Sequence, residues 1–236
     1  MPETIANEIA NTLCQTIHEI AAKPGALVSA IEVVGERSRQ LLHDWSGTLR
    51  PPSLDLVPNL IHQQCLIQPD TPAVDAWDGQ FTYLDVDELS SKLASHLAQY
   101  ALDPDTFIAV CFEKSKWTPV VMLAIMKPGA AFVLLDPSQP SQRLQYICQT
   151  TKASIVIASE EQTTMATTFA QYTITVGDHH RGWMNDRFTR LPSPSPDNIA
   201  FAVFTSGSTG KPKGVQISHS AFITSARDHS IALKIT

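Results

Sequence analysis

Residues 199–215, IAFAVFTSGSTGKPKGV, are the most informative part of the sequence for both fold and function. Its first six residues are continuously apolar, which is typical of a strand buried on both faces of a sheet. Residues 205–214 follow directly and hold three glycines, four hydroxyl side chains and two lysines. Backbone amides left uncovered by glycine can form a nest around phosphate oxygens, helped by hydroxyl and ammonium groups. The stretch therefore predicts a phosphate-binding loop after a buried strand.

Two other interpretations of this loop are weaker. A Walker A loop has a glycine five residues before its Gly-Lys pair and a Ser or Thr directly after it. Those positions hold Thr205 and Pro212 here, so the magnesium-binding hydroxyl of that motif is missing. A flexible linker would have a similar composition. The buried-strand pattern ahead of the loop and the specific residue order favour the phosphate loop.

Short apolar runs alternate with helical patterns upstream of the loop. Strands are predicted at 107–112, 131–135, 154–158, 172–176 and 199–204, and helices at 117–126 and 142–150. Nearly continuous apolar strands separated by helices are typical of a parallel sheet covered on both faces. We therefore expect an α/β fold with a mostly parallel sheet. A hairpin around Asp78-Gly79, helices at 57–68 and through Tyr100, a polar loop at 177–198 and a helix from about Ser218 complete the prediction.

The first 50 residues differ from the rest. Helices are predicted at 4–22 and 36–45, the first with an isoleucine and leucine face at three- and four-residue steps. Ser46-Gly47 and Pro51-Pro52 then interrupt the chain. We expect a boundary there, which divides the chain into a short helical segment, 1–50, and a larger domain, 51–236.

The bulk properties exclude several classes of function. The 236 residues carry a formal net charge of -6, and no basic cluster indicates binding to nucleic acid or to a membrane surface. No apolar run is long enough for a membrane span, and the N-terminus lacks the features of a secretory signal. The four cysteines are far apart, which favours reduced and mostly buried thiols. We expect a cytoplasmic protein.

Three segments together resemble a known family. IAFAVFTSGSTGKPKGV closely resembles the signature loop of the adenylate-forming, or AMP-binding, superfamily. Phe81–Asp85 (FTYLD) and Met122–Pro137 (MLAIMKPGAAFVLLDP) resemble segments of nonribosomal peptide synthetase adenylation domains. Pro128 stands where that branch usually has alanine, a change we expect to be tolerated just before a glycine turn. Residues 1–47 resemble the tail of an upstream condensation domain with its linker.

The resemblance implies a reaction and its cofactors. Family members use ATP with magnesium to convert an amino or aryl acid to an acyl-adenylate, and then load it on the phosphopantetheine of a carrier domain. ATP, the acid and the rest of the synthetase are therefore the expected partners. The resemblance places the β- and γ-phosphates of ATP on a loop that we assign as cofactor-binding: Thr205, Ser206, Gly207, Ser208, Thr209, Gly210, Lys211, Lys213 and Gly214.

The resemblance also implies an incomplete site. The family's adenine pocket, magnesium-binding acid, ribose-binding aspartate and catalytic lysine come from later motifs, and the chain ends at Thr236 before them. We therefore assign no catalytic and no metal-binding residue, and leave open whether the chain alone is an enzyme. We expect the chain to be a truncated adenylation domain, marginally stable and prone to associate. The alternative is a non-catalytic remnant or binding module that retains only the phosphate loop.

Three further groups have a functional and a structural interpretation. His219 follows the loop where the family often has a histidine, but a histidine at a helix start is the more ordinary reading. His179 and His180 would suggest a metal site only with a third ligand, so a solvated pair is expected. Asp85 and its acidic neighbours open a helix, where negative charge suits the helix dipole, and we interpret them as structural.

Overall fold

The structure, a computed structural model, describes residues 3–47, 51–185, 194–205 and 212–234. The chain divides into two compact units, Met1–Pro51 and Pro52–Thr236. That the first unit is the tail of a condensation domain stays a prediction.

The first unit is helical. Helix α1 (Glu3–Ala22) and helix α2 (Glu36–Ser46) lie on either side of a short 3-10 turn at Val28–Ala30, so both predicted helices are confirmed. Helix α2 ends at Gly47, which has a φ of 59° and so adopts a conformation that glycine reaches without strain. The apolar side chains along α1 are about half exposed: Ile5, Ile9, Leu13, Ile17 and Ile20.

The second unit is an α/β domain built on a six-stranded sheet. Its elements are α3 (Val57–Ile67), β1 (Pro72–Ala76), β2 (Gly79–Thr82), α4 (Tyr83–Leu97), β3 (Phe107–Cys111), α5 (Trp117–Met126), β4 (Ala131–Leu135), α6 (Ser141–Thr151), β5 (Ile155–Ala158), α7 (Thr163–Ala166), β6 (Tyr172–Thr175), β7 (Ile199–Thr205), β8 (Lys213–Ser218) and α8 (His219–Leu233). The strand order is β6-β5-β3-β4-β7-β8, and every pair is parallel except β7 with β8. Strands β1 and β2 form a separate antiparallel hairpin, as the sequence predicted.

Two apolar layers cover the sheet, one on each face. Helices α4 and α5 pack on one face through buried side chains such as Leu93 and Val120. Helix α6 packs on the other face, where Leu144 and Ile147 meet Val133 of β4. This arrangement confirms the predicted parallel sheet with helices on both faces.

The ends of α4 and α5 follow from local chemistry. Thr82 and Asp85 form a reciprocal capping box at the start of α4, which satisfies backbone donors that the first helical turn leaves free. Lys127 is the C-terminal cap of α5, and Pro128 follows it where the helix no longer continues. Gly129 then turns the chain with a φ of 89°.

One prediction near the loop was wrong. The sequence placed residues 205–214 in a single turn, but Lys213 and Gly214 belong to the antiparallel strand β8 (Lys213–Ser218). The helix predicted from about Ser218 is confirmed as α8. Strand β8 lies at the edge of the sheet and is largely exposed, so it lacks the continuous apolar pattern of the buried strands. The alternation of Val215 and Ile217 with polar residues was the available signal. The short helix α7 and a 3-10 turn at Gly182–Asn185 were also missed.

Candidate functional site

The hairpin of β7 and β8 carries both ends of the predicted phosphate loop. Thr205 pairs with Lys213, Phe204 pairs with Gly214, and Val203 pairs with Val215. The hairpin therefore brings together three of the residues assigned from the sequence, Thr205, Lys213 and Gly214. The other six assigned residues lie outside the described residues and stay predictions: Ser206, Gly207, Ser208, Thr209, Gly210 and Lys211.

The loop leaves the sheet at a position typical of ligand sites. Strand β7 runs parallel to β4, and β4 runs parallel to β3, so the carboxyl ends of these strands lie at one edge of the sheet. In open α/β sheets, ligands bind outside the carboxyl ends of the strands. Thr205 is the last residue of β7 and therefore starts the loop at this edge.

The two faces of the hairpin differ at the mouth of the loop. Cross-strand partners project from the same face of a sheet, and successive residues project from opposite faces. Thr205 and Lys213 therefore share one face, and both are exposed. Phe204 occupies the other face, where Gly214 offers no side chain. The exposed face thus presents a hydroxyl and an ammonium group, a pair suited to an anion.

The start of β7 is held by Asp105, a residue that the sequence reasoning did not single out. One oxygen of its carboxylate, Oδ1, accepts hydrogen bonds from the backbone N–H of Ile199 at 2.7 Å and from Nδ2 of Asn198 at 3.1 Å. The Asp105 backbone N–H donates to the carbonyl of Gly129 at 2.9 Å. These contacts fix the end of β7 that lies opposite the loop.

His219 is a buried residue at the first position of α8, directly after the N-cap Ser218. The backbone N–H of Val57 donates to Nδ1 of His219 at 3.4 Å, so the neutral ring carries its proton on Nε2. Burial lowers the pKa of His219, although the charge of Asp105 acts in the opposite direction. Nε2 is buried and has no hydrogen-bond partner among the described residues. These contacts favour the structural interpretation of His219.

The second histidine group also has a structural role. The backbone N–H of His179 and the Nδ1 atom of His180 both contact Oε1 of Glu160, at 2.8 and 3.0 Å. The contact with His180, together with the His179 amide, lowers the pKa of Glu160 despite some desolvation. Within the described ranges, no cluster of three or more His, Cys, Asp or Glu side chains is suited to hold a metal ion.

The acidic group at the start of α4 forms a structural ion pair. Nζ of Lys127 lies 2.9 Å from Oδ1 of Asp87 and 2.6 Å from the hydroxyl of Ser91, and His62 contacts Oδ2 of Asp87. Burial tends to raise the pKa of Asp87, but the hydrogen bonds from Lys127 and His62 outweigh it and lower the pKa. This network joins α4 to the end of α5 and favours the structural interpretation of Asp87.

The expectation of mostly buried thiols is confirmed for three of the four cysteines. All four are free, with Cys14 exposed and the other three buried. Burial raises the pKa of Cys111 to about 12 and that of Cys148 to about 11, so both stay protonated and unreactive at neutral pH.

A cavity of about 460 Å³ opens between β4 and β7 near the loop. The two strands pair only at Phe132 with Phe201 and at Val133 with Ala202, and the remaining residues of both strands lack this pairing. Leu134 and Val203 at the cavity are about half exposed. Phe204 also lines it. Sequence reasoning could not find this cavity, because it depends on where the two strands separate.

Comparisons with known proteins assign the family. The family described as AMP-binding enzyme matches residues 61–235. The chain belongs to this AMP-binding family. It is 42% identical over 224 residues to the nonribosomal peptide synthetase fmqA of Aspergillus fumigatus. The aligned part covers 94% of this chain and 6% of that protein. The chain therefore spans a small fraction of the length of this relative.

Solved structures support the same fold for this AMP-binding chain. The structure of the nonribosomal peptide synthetase FmoA3 in its AMPPNP-bound form matches with a TM-score of 0.76 at 19% identity, over 100% of this chain and 25% of that chain. The Klebsiella oxytoca NpsA N-terminal subdomain in complex with 3-hydroxybenzoyl-AMSN matches with a TM-score of 0.62 at 27% identity. This match covers 70% of this chain and 41% of the NpsA chain. The fold is thus that of the N-terminal subdomain of adenylate-forming enzymes. None of the helices in the described ranges has the length and hydropathy of a membrane span.

Proposed function

We propose that this chain supplies the triphosphate-binding part of a nonribosomal peptide synthetase adenylation domain. The observation that carries the proposal is the β7–β8 hairpin, which places Thr205 and Lys213 on one exposed face at the carboxyl edge of the sheet. Membership of the AMP-binding family and similarity to synthetases such as fmqA support it.

The residues present fit the phosphate groups of ATP. The hydroxyl of Thr205 and the amides and hydroxyls of residues 206–210 would donate hydrogen bonds to the β- and γ-phosphate oxygens. Lys211 and Lys213 would neutralise part of the phosphate charge, and magnesium would enter with ATP. Bound ATP supplies the α-phosphate that the carboxylate of an acid substrate attacks, with pyrophosphate as the leaving group. The chain's own task is to hold and orient the triphosphate.

In this proposal, the remaining parts of the reaction come from the rest of an adenylation domain. The chain covers 41% of the NpsA subdomain and 25% of FmoA3. We propose that the contacts with adenine, ribose and an amino or aryl acid come from outside residues 1–236. A phosphopantetheine arm on a carrier domain would receive the acyl group.

Localisation in the cytoplasm stays a prediction, and fractionation of the source cells tests it.

ATP–pyrophosphate exchange tests this proposal. The chain is mixed with amino and aryl acids, alone and together with a fragment that carries the rest of an adenylation domain. We expect no exchange by the chain alone and exchange when the fragment is added. Lys211→Ala should reduce the restored exchange, and Val215→Ala, a neighbouring change outside the loop, should not.

Two results would contradict the proposal. Absence of exchange under every condition would favour a remnant or binding module without catalysis. Exchange by the chain alone would show that contacts from outside residues 1–236 are not needed.

A further inference from the structure

The backbone conformation at position 214 does not require glycine. The described glycines with a φ in the left-handed region are Gly47, Gly79 and Gly129, whereas Gly214 lies in the extended strand β8 outside that region. An ordinary residue adopts extended backbone without strain. The conformation at position 214 therefore leaves the need for glycine unexplained.

The ring of Phe204 explains it. A Cβ atom added to Gly214 would lie 3.0 Å from Cζ of Phe204, 3.3 Å from Cε1 and 3.4 Å from Cε2. Phe204 is also the direct cross-strand partner of Gly214. The aromatic ring thus lies across the glycine, an arrangement in which an aromatic residue compensates for a glycine in an edge strand. A methyl group at position 214 would require the ring or the strand to shift by a few tenths of an ångström.

The same ring ties the edge strand to the core. Phe204 packs against the apolar layer between the sheet and α6, and it shares the wall of the cavity with Leu144 and Ile147. In the described sheet, β8 pairs with β7 alone. The ring therefore adds a contact to β8 at the Phe204–Gly214 pair, which lies next to the Thr205–Lys213 pair on the side away from the loop.

We propose that Phe204 is a positioning residue, which holds Gly214 under its ring and so fixes Lys213 and the second end of the phosphate loop. The role for ATP rests on the proposed function of the loop. Because Lys213 directly precedes Gly214, a shift of β8 away from the ring displaces its ammonium group from the position opposite Thr205. Gly214 then serves the site by making room for the ring, and needs no contact with phosphate.

A double-mutant cycle tests this coupling. The variants are Gly214→Ala, Phe204→Leu and the two combined, with Val215→Ala as the control on the other face of the same strand. The dissociation constant of ATP with magnesium is measured by titration calorimetry on the 236-residue chain, and the melting temperature is measured in parallel.

We expect Gly214→Ala to weaken ATP binding about tenfold, because small displacements of a positioning group have large effects. In the Phe204→Leu background, the smaller side chain leaves space for the methyl group, so the added loss should fall to about twofold or less. Equal losses in both backgrounds would overturn the proposal. So would a loss of melting temperature with unchanged ATP affinity, since that result indicates a purely structural role.

A second measurement separates this proposal from the proposed function. Amide hydrogen exchange of a peptide covering residues 205–213 is followed in the ligand-free chain. If the unchanged chain binds no ATP, the proposed function fails, but faster exchange in both Phe204→Leu and Gly214→Ala, with little further increase in the combined variant, still supports positioning by Phe204. Exchange that is the same in all variants overturns it.

Discussion

Asp105 offers the sharpest test of how the strand that carries the loop is held. Its carboxylate accepts two hydrogen bonds at the start of β7, from Ile199 and Asn198, and its backbone φ is 65°. Replacement by alanine removes both hydrogen bonds and leaves a side-chain-bearing residue in the left-handed region. Asparagine retains an oxygen acceptor and tolerates the same backbone conformation.

The expected loss of stability follows from these two effects. A hydrogen bond to a half-buried carboxylate contributes about 1 kcal/mol, so the two contribute about 2 kcal/mol. Left-handed backbone costs about 1 kcal/mol more for alanine. Asp105→Ala should therefore lower the free energy of unfolding by about 3 kcal/mol, and Asp105→Asn by about 1 kcal/mol. Asp105→Gly should lie between them, because glycine removes the backbone strain but not the loss of hydrogen bonds.

Urea unfolding followed by the fluorescence of the buried Trp117 and Trp183 measures these differences. Glu88→Ala, an exposed acidic residue on α4, is the control and should change stability by less than about 0.5 kcal/mol. Equal stability of the alanine and asparagine variants would refute the reasoning, because it would mean that neither the acceptor nor the backbone conformation matters.

Three further predictions concern the buried histidine, the thiols and the cavity. Burial lowers the pKa of His219, so the unfolded chain binds more protons than the folded chain below about pH 6.5, and stability should fall as the pH drops from 7 to 5. His219→Gln should flatten this slope in urea midpoints, and an unchanged slope would contradict the assignment. A thiol reagent should modify only Cys14 rapidly in the folded chain and all four cysteines in urea, whereas fast labelling of Cys111 would count against its burial. The half-exposed Leu134 beside the cavity should promote association in ultracentrifugation, and Leu134→Gln should reduce it; a strictly monomeric chain with a sharp two-state melt would contradict this.

Much of the α/β domain could be predicted from local patterns. Helix α5 and strand β4 were predicted with the bounds that the structure shows, because each is a dense apolar run bordered by Lys, Pro or Gly. Strand β8 could not be predicted in the same way. Its Lys213 and Gly214 have the composition of the loop, and an edge strand needs no continuous apolar face.

The candidate site was only partly predictable for a different reason. The glycine-rich composition indicated a phosphate loop, but the roles of Asp105 and Phe204 depend on contacts between distant segments. Asp105 contacts Ile199, 94 residues away in sequence, and Phe204 meets Gly214 only because β7 and β8 pair. Neither contact leaves a periodic pattern in the sequence.

The proposed function requires that the loop between β7 and β8 binds the triphosphate of ATP. Its most direct test is a titration of the isotope-labelled chain with ATP and magnesium, followed by the amide resonances. We predict saturable shifts concentrated in residues 205–213 and strongly weakened binding in Lys211→Ala and Lys213→Ala. Saturable binding that leaves the amides of 205–213 unchanged, or that is unaffected by both lysine variants, would contradict the claim.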